Sequence, residues 1–197
     1  VFHMEGRLPL RPMEPLTAAL TEHGMDISRQ DDLLICCGKL QSGSYTIAGN
    51  VSSQFISGLL MALPLLKGDS TLEISGAAES ADYIAMTESV LRLTGILFEK
   101  KANGYYIYGG QHYCPESIFT VEQDWSSAAF FLCMGAFSDK GIAVKGMSLS
   151  SLQGDKQILP ILRDFGAVVE TGSEQITVRR GKLSGCCVDA SGIPDLI

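Results

Sequence analysis

Basic charge is scarce in this chain: 15 lysines and arginines stand against 22 aspartates and glutamates, a net charge of −7. Nucleic acids and anionic membranes are held by basic patches, so neither is an expected partner. A phosphorylated ligand would need a local cluster of donors, because the overall field opposes it. Long apolar runs are also missing. The longest, Phe55 to Leu66, is about a dozen residues, contains Pro64 and is too short to span a bilayer. The opening residues Val1-Phe2-His3-Met4-Glu5 show neither the basic nor the apolar stretch of a secretory signal. The six cysteines include no C-x-x-C, and the adjacent pairs Cys36-Cys37 and Cys186-Cys187 lack zinc-ligand spacing. Reduced thiols, several on buried strands, in a cytoplasmic protein are expected. His3, His23 and His112 share no ligand spacing, so no metal site is expected.

What the chain does have is an internal repeat. Leu20-Thr21-Glu22-His23-Gly24, Leu91-Arg92-Leu93-Thr94-Gly95 and Leu162-Arg163-Asp164-Phe165-Gly166 each read as the end of an amphipathic helix closed by glycine. The three glycines are 71 residues apart. A strand, a polar turn and a second strand follow each one, the second strands being Leu33 to Cys37, Tyr105 to Tyr108 and Gln175 to Arg179. A more apolar kind of helix recurs as well. Ser52-Ser53 heads one and Ser126-Ser127 heads another, 74 residues on. Each is followed by a strand, Ser70 to Gly76 or Gly141 to Gly146. One unit is therefore a buried helix, a strand, an amphipathic helix and a strand hairpin, which makes the chain an α/β protein of duplicated units. No buried helix precedes Arg11-Pro12-Met13, and the chain stops where the next one is due. A piece of a longer protein, or a natural truncation, is the expectation.

The stretch Gly49-Asn50-Val51-Ser52-Ser53-Gln54-Phe55 is the most informative. Two hydroxyls and an amide stand where a turn becomes a helix. The first turn of a helix leaves N–H groups unpaired and carries partial positive charge, so this tip is suited to a phosphate. The shaft behind it has almost no polar face and is expected to be buried. Ser52 also has the character of an ordinary N-cap.

Arg11-Pro12-Met13, the Gly49 to Phe55 stretch, Ser80-Ala81-Asp82-Tyr83, Glu122 to Ser127, Gln153-Gly154-Asp155 and Ile193-Pro194-Asp195 occur in this order on the repeat. Together they resemble the central part of the 5-enolpyruvylshikimate-3-phosphate synthase family (3-phosphoshikimate 1-carboxyvinyltransferases), over essentially the whole chain. The resemblance implies two lobes built of repeated β-α-β-α-β-β units, with residues 1–120 in the shikimate-phosphate lobe and 121–197 beginning the second. It implies transfer of the enolpyruvyl group of phosphoenolpyruvate to the 5-hydroxyl of shikimate 3-phosphate, with no metal or organic cofactor. By the same resemblance Ser52, Ser53, Gln54, Ser80, Tyr83 and Asp195 bind shikimate 3-phosphate, and Arg11 with Gln54 binds phosphoenolpyruvate. Asp195 is the implied general base, while Glu122 and Asp124 are carboxylates near the crevice. Trp125 is expected to pack, Asp155 to cap a loop or helix, and Lys100-Lys101 to form a solvated turn.

The chain departs from the family pattern in having Ala81-Asp82 where Lys-Pro is common, and Glu14 where glycine is common. The family's Lys-Ser near the N-terminus, its glycine-rich loop and the basic residues of its C-terminal third lie outside the chain. Little or no turnover by these 197 residues alone is therefore expected. The full-length protein is expected to be a monomer, and the shorter chain to self-associate through open sheet edges. Two alternatives stand beside this reading. One is a non-catalytic module that binds a phosphate ligand; the other is a UDP-N-acetylglucosamine enolpyruvyl transferase, which the absence of a cysteine in a glycine-rich loop disfavours.

Overall fold

A computed structural model describes residues 1–77, 81–115 and 118–196, so Ser80 lies outside the described residues. The chain divides into two compact units, Val1–Glu79 with Thr87–Glu116, and Ser80–Met86 with Ser117–Ile197.

The first unit opens with β1 (Phe2–His3), α1 (Glu14–Glu22), β2 (Met25–Gln30) and β3 (Leu33–Gly38). It continues through β4 (Ser44–Ala48), α2 (Ser53–Ala62), β5 (Ser70–Ser75), α3 (Ala81–Leu93), β6 (Phe98–Lys101) and β7 (Gly104–Ile107), α3 joining it from Thr87 onward. The second unit holds α4 (Trp125–Ala136), β8 (Ile142–Lys145), α5 (Ile158–Asp164), β9 (Val168–Thr171) and β10 (Gln175–Arg179). The run β4-α2-β5-α3-β6-β7 is one complete β-α-β-α-β-β unit, as the family resemblance implied.

The repeat is visible in the sheets. Strand orders are β1-β3-β2, β4-β5-β7-β6 and β8-β10-β9, so the second hairpin strand is central each time. It pairs antiparallel with both neighbours. A strand, a crossover helix and a parallel strand two places away make a split β-α-β motif, present three times. Gly24, Gly95 and Gly166 close the crossover helices with φ of +93°, +80° and +87°, backbone that other residues adopt only under strain.

Each unit has its own core. Tyr45, Ile47, Ile56, Leu59, Leu60, Leu72 and Ile107 are almost wholly buried in the first. In the second, Trp125, Leu132, Ile158, Leu159, Leu162, Ile176 and Val178 form one cluster, with α4 and α5 on the same face of the sheet. Each such large apolar side chain contributes roughly 1.5–3 kcal/mol.

Three expectations need correction. The apolar helices are not buried all round: a sheet covers one face only. Met61 and Leu65 stay about half exposed, and Phe130, Phe131, Met134 and Phe137 are 55–71% exposed. The apolar run from Phe55 is not one helix, because Pro64 has no N–H to donate; α2 ends at Ala62 and a 3-10 turn covers Leu63–Leu65. Lys100 and Lys101 end strand β6 rather than forming a turn, and the Lys100 Nζ donates to buried Glu88 at 2.7 Å. Glu88 also accepts from the Tyr105 hydroxyl at 2.6 Å and from Arg92 at 3.3 Å. Burial pushes its carboxyl up, but these donors outweigh burial and hold it below its ordinary value.

Candidate functional site

The tip of α2 is built by the end of β4. Ala48 pairs with Ser75, and the Gly49 N–H donates to the Ser75 carbonyl at 2.9 Å, which fixes where the loop leaves the sheet. Ser52 is extended (φ −165°, ψ 123°) and its Oγ accepts from the Gln54 N–H at 3.2 Å. It is a true N-cap, and its hydroxyl proton is left to donate outward. Ser52 is half-buried, Ser53 is 8% exposed and Gln54 is exposed, so the tip reaches solvent through Ser52 and Gln54 while Ser53 lies just inside. No acidic residue stands in the first turn. One turn on, Ser57 Oγ accepts from the Thr87 hydroxyl at 2.8 Å, tying the shaft to α3. Hydroxyls and an amide at the positive end of a helix whose first turn holds no acidic residue suit an oxyanion.

The second serine pair is different, although the sequence makes the two look alike. The N-cap of α4 is Asp124, not serine. Its carboxylate accepts from the Ser126 N–H at 3.0 Å, the Ser127 N–H at 3.2 Å and the Ser127 hydroxyl. The Trp125 N–H is taken by the Gln153 side-chain oxygen at 2.8 Å, and the Gln153 amide donates to the Gln123 carbonyl at 2.8 Å. Ser126 Oγ donates to buried Asp155. The tip of α4 is thus saturated and already carries an anion, whereas no acidic residue stands in the first turn of α2. Trp125 is fully buried, with its indole N–H on the Ser148 carbonyl at 3.2 Å, in accord with a packing role.

Within the second unit Tyr83 and Asp195 are brought together, 112 positions apart in sequence: the Tyr83 hydroxyl donates to the Asp195 carboxylate. Asp195 lies in the 3-10 turn Pro194–Leu196. The hydrogen bond to Asp195, burial, and the charges of Asp155, Asp195 and Asp124 push the Tyr83 phenol well above its ordinary value. Tyr83 therefore stays a hydrogen-bond donor. Glu122 is exposed on the irregular stretch before α4. Arg11 is also exposed, on the rim of a groove of about 530 Å³ between α1 and the β1–β3 sheet. Among the described residues no three His, Cys, Asp or Glu side chains are grouped to hold a metal ion. No helix among them is long and apolar enough to cross a membrane.

Sequence reasoning missed Gln153 as the clamp on α4, and it gave Asp155 only a generic capping role. Nothing local marks either residue, since their partners lie 28 and 29 positions away.

Comparison with known proteins places this geometry in context. The profile of the EPSP synthase family (3-phosphoshikimate 1-carboxyvinyltransferase) matches residues 4–197. A 3-phosphoshikimate 1-carboxyvinyltransferase of Clostridium acetobutylicum is 36% identical over 200 residues, covering 100% of this chain and 46% of the relative. One from Clostridium kluyveri is 42% identical over 160 residues, covering 81% of this chain and 37% of the relative. The chain thus spans less than half the length of these relatives. Among solved structures, EPSP synthase from Acinetobacter baumannii superposes with a TM-score of 0.66 at 24% identity, covering 96% of this chain and 44% of that one. The enolpyruvyl transferase NikO from Streptomyces tendae gives 0.64 at 18% identity, covering 90% and 43%. At these identities the structural likeness speaks for the fold.

Proposed function

Since the chain belongs to the EPSP synthase (3-phosphoshikimate 1-carboxyvinyltransferase) family, we propose that it carries the shikimate 3-phosphate half of such a transferase in the cytoplasm. The single observation that carries the reading is the uncharged, serine-capped tip of α2, in contrast to the tip of α4, which is closed by its own aspartate. In this reading the ligand's phosphate is held by Ser52, Ser53 and the first N–H groups of α2, joined by Ser80, while Gln54 reaches toward both substrates. Tyr83, whose hydroxyl donates to Asp195, lines the sugar-acid side. Arg11 grips phosphoenolpyruvate, since a guanidinium meets phosphate or carboxylate with two parallel hydrogen bonds.

Asp195 accepts the proton of the 5-hydroxyl as the hydroxyl oxygen bonds to C2 of phosphoenolpyruvate, and a proton drawn from solvent adds to the methylene carbon. The tetrahedral adduct then loses that methyl proton and phosphate, restoring the double bond on the new ether. Holding both anions in register supplies the largest part of such a rate enhancement. Glu122 and Asp124 belong to the approach to the site, and for Asp124 the capping of α4 comes first. Residues 1–120 act as the shikimate-phosphate lobe and 121–197 as the start of the second.

The test separates binding from turnover. The 197-residue chain is titrated with shikimate 3-phosphate by calorimetry, then assayed with both substrates. Saturable binding with little or no phosphate release is expected, because the family's other basic groups lie outside the chain. Each hydrogen bond to a charged phosphate contributes roughly 1.5–3 kcal/mol. Replacing Ser52 and Ser53 together by alanine therefore weakens binding by at least about a hundredfold. Absence of binding, or indifference to the double replacement, overturns the proposal.

A further inference from the structure

The charged side chains around α5 are sorted by side. Lys156, Leu159, Pro160 and Arg163 recur at intervals of three and four, which aligns side chains along one side of a helix. They line a hollow of about 270 Å³ together with Leu149 of the preceding loop and Thr171 at the end of β9. The acidic neighbours of these residues are all turned elsewhere. Asp164 follows Arg163 but lines a separate hollow with Asp82 and Asp189. Glu170 precedes Thr171 but projects from the opposite face of β9, where Arg179 pairs with it at 3.2 Å. Asp155 precedes Lys156 but is buried and accepts from the Ser126 hydroxyl. In a chain of net charge −7, this hollow is therefore lined by two cations and no carboxylate.

The two cations stand at its two ends. Lys156 is half-buried, and its ammonium donates to the carbonyl of buried Ser151, which holds the charge in place and leaves two donor protons. Arg163 is exposed and lies seven residues on, roughly 10 Å along the axis. Among the described residues neither is engaged in an ion pair. Between them lie Leu159, 4% exposed, and Pro160, so the order along the hollow is cation, apolar floor, cation. A phosphate ion could meet one cation and would leave the floor wet. A molecule with an anionic group at each end and an apolar middle matches all three parts, and a guanidinium takes a carboxylate with two parallel hydrogen bonds. The volume, near the lower end of the roughly 300–1,000 Å³ usual for small-molecule sites, limits the ligand to a small one. We infer that this hollow binds a small organic dianion whose two charged groups flank an apolar body. It lies wholly within the second unit and uses none of the residues assigned to the substrates, so the inference does not rest on the transferase reading.

The experiment titrates the 15N-labelled 197-residue chain with terephthalate, a benzene ring carrying two opposed carboxylates, and follows backbone amide shifts. Saturable shifts at Lys156, Gln157, Arg163 and Thr171 are expected, with a Kd of about 1 mM or tighter. Benzoate, with one carboxylate, and inorganic phosphate, with no apolar body, each bind at least about fivefold more weakly. Arg163 is exposed, so Arg163→Gln leaves circular dichroism unchanged, and it weakens terephthalate at least about fivefold. Arg179→Gln removes an equal charge from the pair with Glu170 and leaves the affinity as it was. Four results overturn the inference: no saturable shifts, shifts centred elsewhere in the chain, benzoate or phosphate binding as well as terephthalate, or equal effects of Arg163→Gln and Arg179→Gln.

Discussion

Replacing Asp124 by alanine tests whether the tip of α4 is held as described. The substitution removes the acceptor for two helix N–H groups and one hydroxyl. Loss of an N-cap costs about 1 kcal/mol, with a range of roughly 0.5–2. Loss of the negative charge at the positive helix end adds about 0.3–1 kcal/mol. The expected destabilisation is about 1.5–2.5 kcal/mol for Asp124→Ala. For Asp124→Asn, which keeps an acceptor oxygen but loses the charge, about 0.5–1 kcal/mol is expected. Trp125 is the one tryptophan of the chain and is fully buried next to the cap, so its fluorescence during urea unfolding reads the second unit directly.

Acidity gives an independent check on the same residue. The Ser127 hydroxyl first, then the Ser127 and Ser126 N–H groups, hold the Asp124 carboxyl below its ordinary value of 3.8, with slight burial opposing. Because the folded value is depressed, the stabilisation is complete above the unfolded-state value and fades as pH falls through the folded one. The gap between wild type and Asp124→Asn therefore narrows below about pH 4. An alanine variant losing less than about 0.5 kcal/mol, or a gap that stays constant on acidification, refutes the capping argument.

Two further stability predictions follow from the first unit. Glu88→Ala leaves the buried Tyr105 hydroxyl without its acceptor and costs about 1–3 kcal/mol, while Glu88→Gln retains an acceptor and loses less, both measured by urea denaturation. Lys100 and Arg92 are more than half exposed and return to water, so their loss adds little. Gly104 in β7 has φ +151°, and a Cβ there would lie 1.9 Å from the Leu72 carbonyl oxygen. Gly104→Ala is expected to lower stability by about 2–4 kcal/mol in the same assay, more than an alanine at Gly58, whose Cβ would meet open space.

Much of the fold was legible because it repeats. A single glycine-terminated helix is a weak signal, but three at a constant interval, each followed by a hairpin, mark a unit and its register. The helix starts were less legible. Ser52-Ser53 and Ser126-Ser127 have the same letters, yet only the first serine pair supplies its own cap. The residue that decides the matter, Asp124, sits two places before the second pair, where sequence reading gave it a crevice role. Capping residues have extended backbone and are chosen by local geometry, which letters alone do not give. The exposure of Phe130 and Met61 was not legible either. An apolar helix advertises that it wants covering on all sides, but not whether the covering is in the same 197 residues. The pairing of Tyr83 with Asp195 could be anticipated only through the family resemblance, since no periodicity links residues 112 positions apart.

The central claim is that α2, and not α4, presents its tip to the phosphate. Titrating the 15N-labelled chain with shikimate 3-phosphate and following backbone amide shifts tests it most directly. The account predicts that the amides of Ser52, Ser53 and Gln54 move together and saturably, while those of Trp125, Ser126 and Ser127, already bonded to Gln153 and Asp124, stay where they are. Shifts centred on Trp125 to Ser127 with Ser52 to Gln54 unmoved contradict it.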